Sequence, residues 1–229
     1  MAEFDSSLVT TCTEQPGEPR NAGCSIIIDR GIKAGLFLEV RSFYDKLKSE
    51  GWSPNLILLS SDGGDVEEAL KLGRFFRSIG VTVLVQAGSH CYSSCVIVLA
   101  GGSLRGPIGE VGIHRPYFSE GAASVSEART TYSRLRNEVQ AFFVEGGVRP
   151  TLWDDMMSVP PEKIRILGLR EMEDYGLSGV DPAVAESGAR RLMQRYQISR
   201  DELNRRHREI DAKCAHESNC VQRVLETGR

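Results

Sequence analysis

The hydrophobic pattern of the chain alternates between short apolar runs and longer amphipathic segments. The runs CSIIID (24–29), NLILLSS (55–61) and VTVLVQA (81–87) are nearly continuous and rich in branched aliphatic residues, which is typical of buried strands. Between them, residues 35–51 and 66–79 place apolar side chains at helical spacing. The order β-α-β-α-β predicts a parallel sheet with right-handed crossovers.

Two further elements follow in the same pattern. The apolar run VIVLAGG directly follows CYSSC and predicts a buried helix that begins near Ser93. The segment IGEVGIHRP predicts a short strand that ends at His114. Residues 118–180 then contain several helical stretches that end at glycines.

The composition of the chain divides it into three parts. Residues 1–24 are polar, and we expect an extended segment that is loosely held except through its cysteines. Residues 25–181 carry the predicted α/β domain. Residues 182–229 are rich in Arg and Glu and predict a helical C-terminal extension, with a capping box formed by Ser199 and Glu202.

Length and charge restrict the class of protein. A chain of 229 residues is long enough for one substantial α/β core. A net charge of -3 gives no reason to expect nucleic acid or an anionic membrane as a partner. No stretch approaches the roughly 20 apolar residues of a membrane span.

The six cysteines fall into three pairs of sequence neighbours: Cys12 with Cys24, Cys91 with Cys95, and Cys214 with Cys220. This spacing favours three short-loop disulfides, although other connectivities and free thiols stay open. A zinc site is disfavoured because the chain lacks a C-x-x-C pair or a suitably spaced pair of histidines. Disulfides would indicate an oxidising compartment.

The expected location follows from the cysteines rather than from the N-terminus. The first ten residues, MAEFDSSLVT, have no basic region and no apolar core of a signal peptide. We therefore expect a periplasmic or otherwise exported protein whose export signal has been removed, with MAEF as a remnant of cloning. The alternative is a cytosolic protein with six free thiols.

Three features suggest nucleophilic chemistry. Serine needs a nearby base and hydrogen-bond donors for the developing oxyanion. Ser93 at a helix start, Gly63 and Gly64 after a strand, and His114 at a strand end could supply these parts. Each is more often structural when it occurs alone, as a turn, a helix start or a buried histidine. Only their joint order favours catalysis.

That order resembles the proteolytic subunit of the Clp protease and its relatives in the crotonase-like superfamily. The matching pieces are SSDGGDVEEA, GSHCYSSCVIVLAGG and GIHRP, and the resemblance covers roughly residues 25–180. The C-x-S-x-C form is closest to exported bacterial Clp-protease-like proteins. The resemblance implies an α/β Clp/crotonase-like spiral of parallel β-α units with a helical C-terminal appendage.

Carried over to this sequence, the resemblance implies that Ser93 is the nucleophile and His114 its general base. The backbone N–H groups of Gly64 and Ser94 would form the oxyanion hole. The aspartate of the family falls at or near Pro160, and proline cannot orient an imidazole. The remaining possibilities are a substitute carboxylate, a Ser–His dyad or an inactive protein. The candidate carboxylates are Asp154, Asp155 and Glu162.

Within this scheme, Cys91 and Cys95 form a disulfide that holds the turn in front of the serine helix. The spacing C-x-x-x-C disfavours a redox role, which is typical of C-x-x-C.

The resemblance implies a serine hydrolase, and within that class a peptidase acting on peptides or loosely folded proteins, without ATP, cofactor or metal. A homo-oligomer is compatible with it. One alternative is a catalytically inactive scaffold or binding protein of the same fold. Acyl-CoA chemistry of the crotonase type is a further alternative, but it gives the Ser–His pair no role.

Overall fold

An α/β unit, residues 1–181, and a helical unit, residues 182–229, make up the chain. The computed structural model describes residues 8–12, 23–116, 124–214 and 217–228. The strands are β1 (Leu8–Cys12), β2 (Gly23–Asp29), β3 (Ser53–Ser60), β4 (Thr82–Val85), β5 (His90–Tyr92), β6 (Leu104–Pro107), β7 (Glu110–Ile113), β8 (Arg165–Ile166) and β9 (Gly179–Val180). The helices are α1 (Leu36–Ser49), α2 (Val66–Ile79), α3 (Cys95–Ala100), α4 (Val125–Glu145), α5 (Thr151–Ser158), α6 (Leu169–Tyr175), α7 (Pro182–Tyr196), α8 (Arg200–Lys213) and α9 (Ser218–Thr227).

The larger sheet has the strand order β1-β2-β3-β4-β6-β9. Its four central strands are parallel, and the edge strands β1 and β9 run antiparallel to their neighbours. Helices α1 and α2 connect β2 to β3 and β3 to β4. Ile26, Ile57 and Val83, one on each of these strands, are fully buried. The predicted β-α-β-α-β series of parallel strands is confirmed.

A smaller sheet, β5-β7-β8, lies at the end of β3. The N–H of Ser61 donates to the carbonyl of His90 at 2.8 Å, and the N–H of Tyr92 donates to the carbonyl of Ser61 at 2.9 Å. β5 is parallel to β7, and β8 is antiparallel to β7. Cys91 and Val111 pair on this sheet and are fully buried, so one face of the sheet belongs to the core.

The N-terminal segment contains a strand that the sequence analysis missed. Leu8–Cys12 pairs with β2, and the Thr10 hydroxyl donates to the carbonyl of Ser25 at 2.9 Å. The prediction of a loosely held segment is therefore wrong for these five residues. The polar composition of LVTTC did not indicate a strand. This edge strand pairs with β2 alone, and Leu8 packs partly against the core. Gly23 and Cys24 belong to β2, and the remaining residues of the predicted segment, 1–7 and 13–22, lie outside the described residues.

A buried arginine, Arg105, binds several segments in the C-terminal part of the α/β unit. The guanidinium of Arg105 donates to the carbonyls of Gly102, Gly146 and Gly176 and pairs with Asp181. Burial lowers the pKa of Arg105 to about 10, against the opposing effect of Asp181. The side chain stays charged at neutral pH, and its partners satisfy the polar groups that burial removes from water.

The helical unit has a small core of its own. Leu203 and Val224, one from α8 and one from α9, are buried. Ser199 caps α8, since its hydroxyl accepts from the N–H of Glu202 at 3.2 Å. The predicted capping box is only half formed, because the Glu202 carboxylate accepts from Arg205 and Arg206 instead of turning back. Within the described ranges, none of the helices has the length and apolar character that crossing a bilayer requires.

Candidate active site

Ser93 occupies a strained turn between β5 and α3. It has a φ of 57°, in the left-handed region that non-glycine residues seldom adopt, and its side chain is almost buried. Its N–H donates to the carbonyl of Gly112 at 2.9 Å, and its carbonyl accepts from the N–H of Val96 at 3.1 Å. The disulfide between Cys91 and Cys95 brackets the turn. Such backbone strain persists only where the surroundings enforce it, and it is concentrated at functional sites.

The serine helix starts two residues later than predicted. α3 begins at Cys95, with Ser94 as its N-cap and Ser93 in the turn before it. All six residues of α3 are buried. Among the described residues, the N–H of Ser94 has no acceptor, and its buried hydroxyl has no partner either.

The DGGD turn after β3 lies against Ser93. Gly63 has a φ of 93°, and a Cβ added there would lie 2.7 Å from the Cβ of Ser93 and 2.6 Å from the carbonyl oxygen of Tyr92. A side chain at this position would displace the serine. Only glycine permits both the backbone conformation and the contact.

The neighbouring glycine is held from the opposite side by Ile32. The N–H of Ile32 donates to the carbonyl of Gly63 at 2.8 Å, and the N–H of Asp65 donates to the carbonyl of Ile32 at 2.8 Å. The carbonyl of Gly63 and the N–H of Gly64 belong to one trans peptide unit and point in opposite directions, so the N–H of Gly64 points away from Ile32. In the described part of the chain this N–H has no acceptor, as an oxyanion donor requires.

His114 is the first residue after β7 and is nearly buried. Tyr92 lies opposite Gly112 on the parallel pair β5 and β7, so Ser93 and His114 follow adjacent strand ends. The imidazole Nδ1 lies 3.1 Å from the carbonyl oxygen of Arg115. Within the described residues, the Ser93 hydroxyl and the imidazole do not form a hydrogen bond. Catalytic hydrogen bonds are often long in free enzymes and tighten with substrate.

The predicted substitutes for the missing aspartate have other partners or face solvent. The Asp154 carboxylate accepts from Arg136 at 3.0 Å, and the Asp155 carboxylate accepts from the Tyr175 hydroxyl. Glu162 is exposed. The segment beside His114 instead contributes a carbonyl: Val159, directly before Pro160, accepts from the N–H of Arg115 at 2.9 Å.

All three predicted disulfides are present: Cys12–Cys24, Cys91–Cys95 and Cys214–Cys220. The free-thiol and zinc alternatives for the cysteines are therefore wrong, because no thiol remains free. Across the described ranges, no group of three or more His, Cys, Asp or Glu side chains is arranged to hold a metal ion. Three disulfides in a small chain are typical of a non-reducing environment.

Polar side chains beside Ser93 were missed by the sequence analysis. His90 Nε2 lies 2.9 Å from an Asp62 carboxylate oxygen, and the His90 and Tyr92 rings stack with centroids 4.6 Å apart. The Tyr92 hydroxyl donates to Glu110, and this hydrogen bond, together with burial, raises the pKa of Tyr92. The alternation of HCY was the only sequence signal, and three residues are too few to predict a strand.

Comparison with known proteins identifies the fold of the chain. No protein-family model matches the sequence, and no curated protein matches it. A mutant of the 1510-N membrane-bound stomatin-specific protease aligns with 67% of this chain and 75% of its own, at 16% identity and a TM-score of 0.50. A mutant of ClpP1 from Listeria monocytogenes aligns with 67% of this chain and 88% of its own, at 20% identity and a TM-score of 0.51. The chain has the α/β fold of these Clp-protease-like proteins, so the predicted fold class is confirmed.

Proposed function

We propose that this chain is a serine hydrolase, and by substrate class a peptidase, with Ser93 as nucleophile and His114 as general base. One observation carries the proposal: three distant segments meet at Ser93. Gly63 packs against the Cβ of Ser93, and the N–H of Ser93 donates to Gly112 in β7, the strand directly before His114. Structural convergence of this kind is a stronger argument than any of the three motifs alone.

The reaction follows from the positions of these groups. Ser93 Oγ attacks the acyl carbon while its proton passes to His114. The oxyanion of the tetrahedral intermediate accepts from the N–H groups of Gly64 and Ser94. The intermediate collapses, His114 gives the proton to the leaving amine, and an acyl-enzyme remains. Water, deprotonated by His114, then releases the acid and restores Ser93.

The substrate and setting of the proposed enzyme rest on coarser support. The likeness to proteases favours peptides or loosely folded proteins as substrates, and it is also compatible with a homo-oligomer. The disulfides support a periplasmic or otherwise exported location. In such a compartment an ATP-driven unfoldase would lack nucleotide, so we propose cleavage without ATP and without a cofactor.

A catalytically inactive scaffold of the same fold is the second candidate. Two observations favour it: Pro160 stands where the family aspartate is expected, and the Ser93 hydroxyl does not bond to the imidazole in the described contacts. The strained φ of 57° at Ser93 counts against it, because a scaffold has no need to maintain it.

Reaction with a fluorophosphonate, followed by intact mass, separates the two. We expect one adduct per chain in the wild type and none in Ser93→Ala. The melting temperature of that variant should change by about 2 °C or less, because the loss of one hydroxyl that caps no helix should cost ~1 kcal/mol or less. His114→Ala should slow labelling by roughly 10²–10⁴-fold. If the wild type stays unlabelled under conditions in which a control serine hydrolase reacts, the scaffold hypothesis replaces the hydrolase hypothesis.

A further inference from the structure

The imidazole of His114 has a backbone partner immediately beside it. Its Nδ1 lies 3.1 Å from the carbonyl oxygen of Arg115. A carbonyl can only accept a hydrogen bond, and a neutral imidazole carries a proton on one nitrogen only. This contact therefore requires the proton on Nδ1, which leaves the lone pair on Nε2, the nitrogen that a general base uses.

The carbonyl is itself held in place. The N–H of Arg115 donates to the carbonyl of Val159 at 2.9 Å, at the C-terminal end of α5. Arg115 also precedes Pro116, and a residue before proline is restricted to extended conformations. With its N–H bound and its dihedral range narrowed, the peptide unit that carries this oxygen has little freedom to turn away from the imidazole.

The same segment explains what happened to the third member of the site. The resemblance in sequence motifs places the aspartate of Clp-type proteases at or near Pro160, and here the carbonyl of the preceding Val159 accepts from the N–H of Arg115. Asp154 and Asp155 are engaged by Arg136 and by the Tyr175 hydroxyl. These carboxylates would have to break existing contacts before they could orient His114.

We propose that the carbonyl of Arg115, supported by the carbonyl of Val159, positions His114 in place of a carboxylate. The inference rests on the proposed function, because the tautomer matters for a base that accepts the Ser93 proton. Arg115 is a positioning residue through its main chain, while its side chain is exposed and plays no part. A neutral carbonyl sets the tautomer but lends the imidazolium no full negative charge, so this contact should stabilise the imidazolium less than a carboxylate would.

The tautomer is measurable by nitrogen NMR of the full chain labelled with 15N-histidine, with His114→Ala to assign the resonance. At a pH where the ring is neutral, we expect the proton on Nδ1 and the chemical shift of an unprotonated nitrogen on Nε2. Free neutral histidine favours the opposite tautomer, so a proton on Nε2 would overturn the proposal. This readout does not depend on activity, and it therefore stays informative if Ser93 proves unreactive.

Two variants of one position test the role of the main chain. Arg115→Ala keeps both backbone groups, so the tautomer should persist and the fluorophosphonate rate should stay within roughly threefold. Arg115→Pro removes the N–H that binds Val159 and should lower that rate by roughly 10²-fold, the scale of a general base contribution. If Arg115→Pro fails to fold, the tautomer of His114 measured by NMR in the wild type still tests the proposal.

The rival explanation is a carboxylate that moves into place with substrate. Asp154→Asn, Asp155→Asn and Glu162→Gln should each keep the wild-type tautomer and a labelling rate within roughly threefold. A loss of roughly 10²-fold or more in any one of them, with a change of tautomer, would assign the role to that carboxylate and reject the carbonyl.

Discussion

The N–H of Ser93 donates to the carbonyl of Gly112 at 2.9 Å, two residues before His114. The bond joins the turn after β5 to a strand some twenty positions further along the chain, and it uses main-chain atoms only. Side-chain changes on the surrounding surface should therefore leave the two candidate catalytic residues side by side. What can separate them is a change in the backbone of the turn or in the glycines beside it.

Gly64→Ala keeps the backbone N–H but should shift this proposed oxyanion donor out of place, and Gly88→Ala is its matched control. Both glycines have positive φ, 146° and 81°, so alanine strains the backbone at either position. A Cβ on Gly64 would also lie 2.1 Å from the carbonyl oxygen of Ile32, whereas a Cβ on Gly88 meets nothing within 4 Å.

We therefore expect Gly64→Ala to lose roughly 10²-fold or more in labelling rate, the scale of one oxyanion donor, and to melt lower than Gly88→Ala. Gly88→Ala should label at nearly the wild-type rate. Equal labelling of the two variants would mean that Gly64 does not form the oxyanion hole.

Ser94→Ala should leave labelling intact. The role proposed for Ser94 belongs to its N–H, which alanine retains, and its buried hydroxyl has no partner among the described residues. Removing an unsatisfied buried hydroxyl costs no hydrogen bond, so the melting temperature should stay equal or rise. Differential scanning fluorimetry and the fluorophosphonate rate check both points. A loss of labelling comparable to that of Ser93→Ala would move the nucleophile to position 94.

The parts of the site that lie close together in sequence were predictable. The Gly63–Gly64 turn, Ser93 and His114 each follow or precede an apolar run, and local periodicity locates such runs. The parallel order followed from the alternation of strands and helices. These predictions needed only the residues within one element and its neighbours.

Features that depend on pairing between strands were not predictable. β5, β8 and β9 have three, two and two residues, too few for any pattern, and they exist because a neighbouring strand accepts their hydrogen bonds. The contact of Nδ1 with Arg115 depends on a rotamer. The partners of Asp154 and Asp155, which are Arg136 and Tyr175, lie on other helices and could not be identified from the sequence.

The Cys91–Cys95 disulfide should matter for reactivity more than for stability. Its loop is short, so we expect it to contribute about 1–3 kcal/mol to the free energy of unfolding. Without it, the strained φ of Ser93 can relax, and relief of strain on the order of 1–3 kcal/mol should slow labelling by roughly tenfold or more.

The comparison is Cys91→Ala/Cys95→Ala against Cys214→Ala/Cys220→Ala, which opens the disulfide of the helical unit. The second pair should label like the wild type. Equal labelling rates in both double variants would show that the Cys91–Cys95 disulfide is not needed for the reactivity of Ser93.

Alkylation of the native wild-type protein without reductant should modify none of the six cysteines, whereas readily alkylated thiols would argue against an exported protein.

Removal of residues 182–229 should leave the α/β unit folded. Its core residues, such as Ile57, Val83 and Phe142, all belong to residues 1–181 and are fully buried there. A chain that ends at Asp181 should therefore unfold in one cooperative transition, while its oligomeric state changes. Circular dichroism and light scattering measure the two. Loss of cooperative unfolding would make the helical unit part of the core.

The guanidinium of Arg105 sets a condition on the order in which the chain can complete its fold. Its acceptors at Gly146 and Gly176 and its partner Asp181 lie 41, 71 and 76 positions further on. When the chain emerges with its N-terminus first, Arg105 is exposed long before the residues that carry these partners have emerged. Until they arrive, burial of a charged side chain would be too costly, and Arg105 must stay in water. The contacts of Arg105 at the end of the α/β unit therefore cannot be complete until residue 181 has emerged. Each disulfide loop spans only 12, 4 or 6 positions and can close as soon as its second cysteine has emerged.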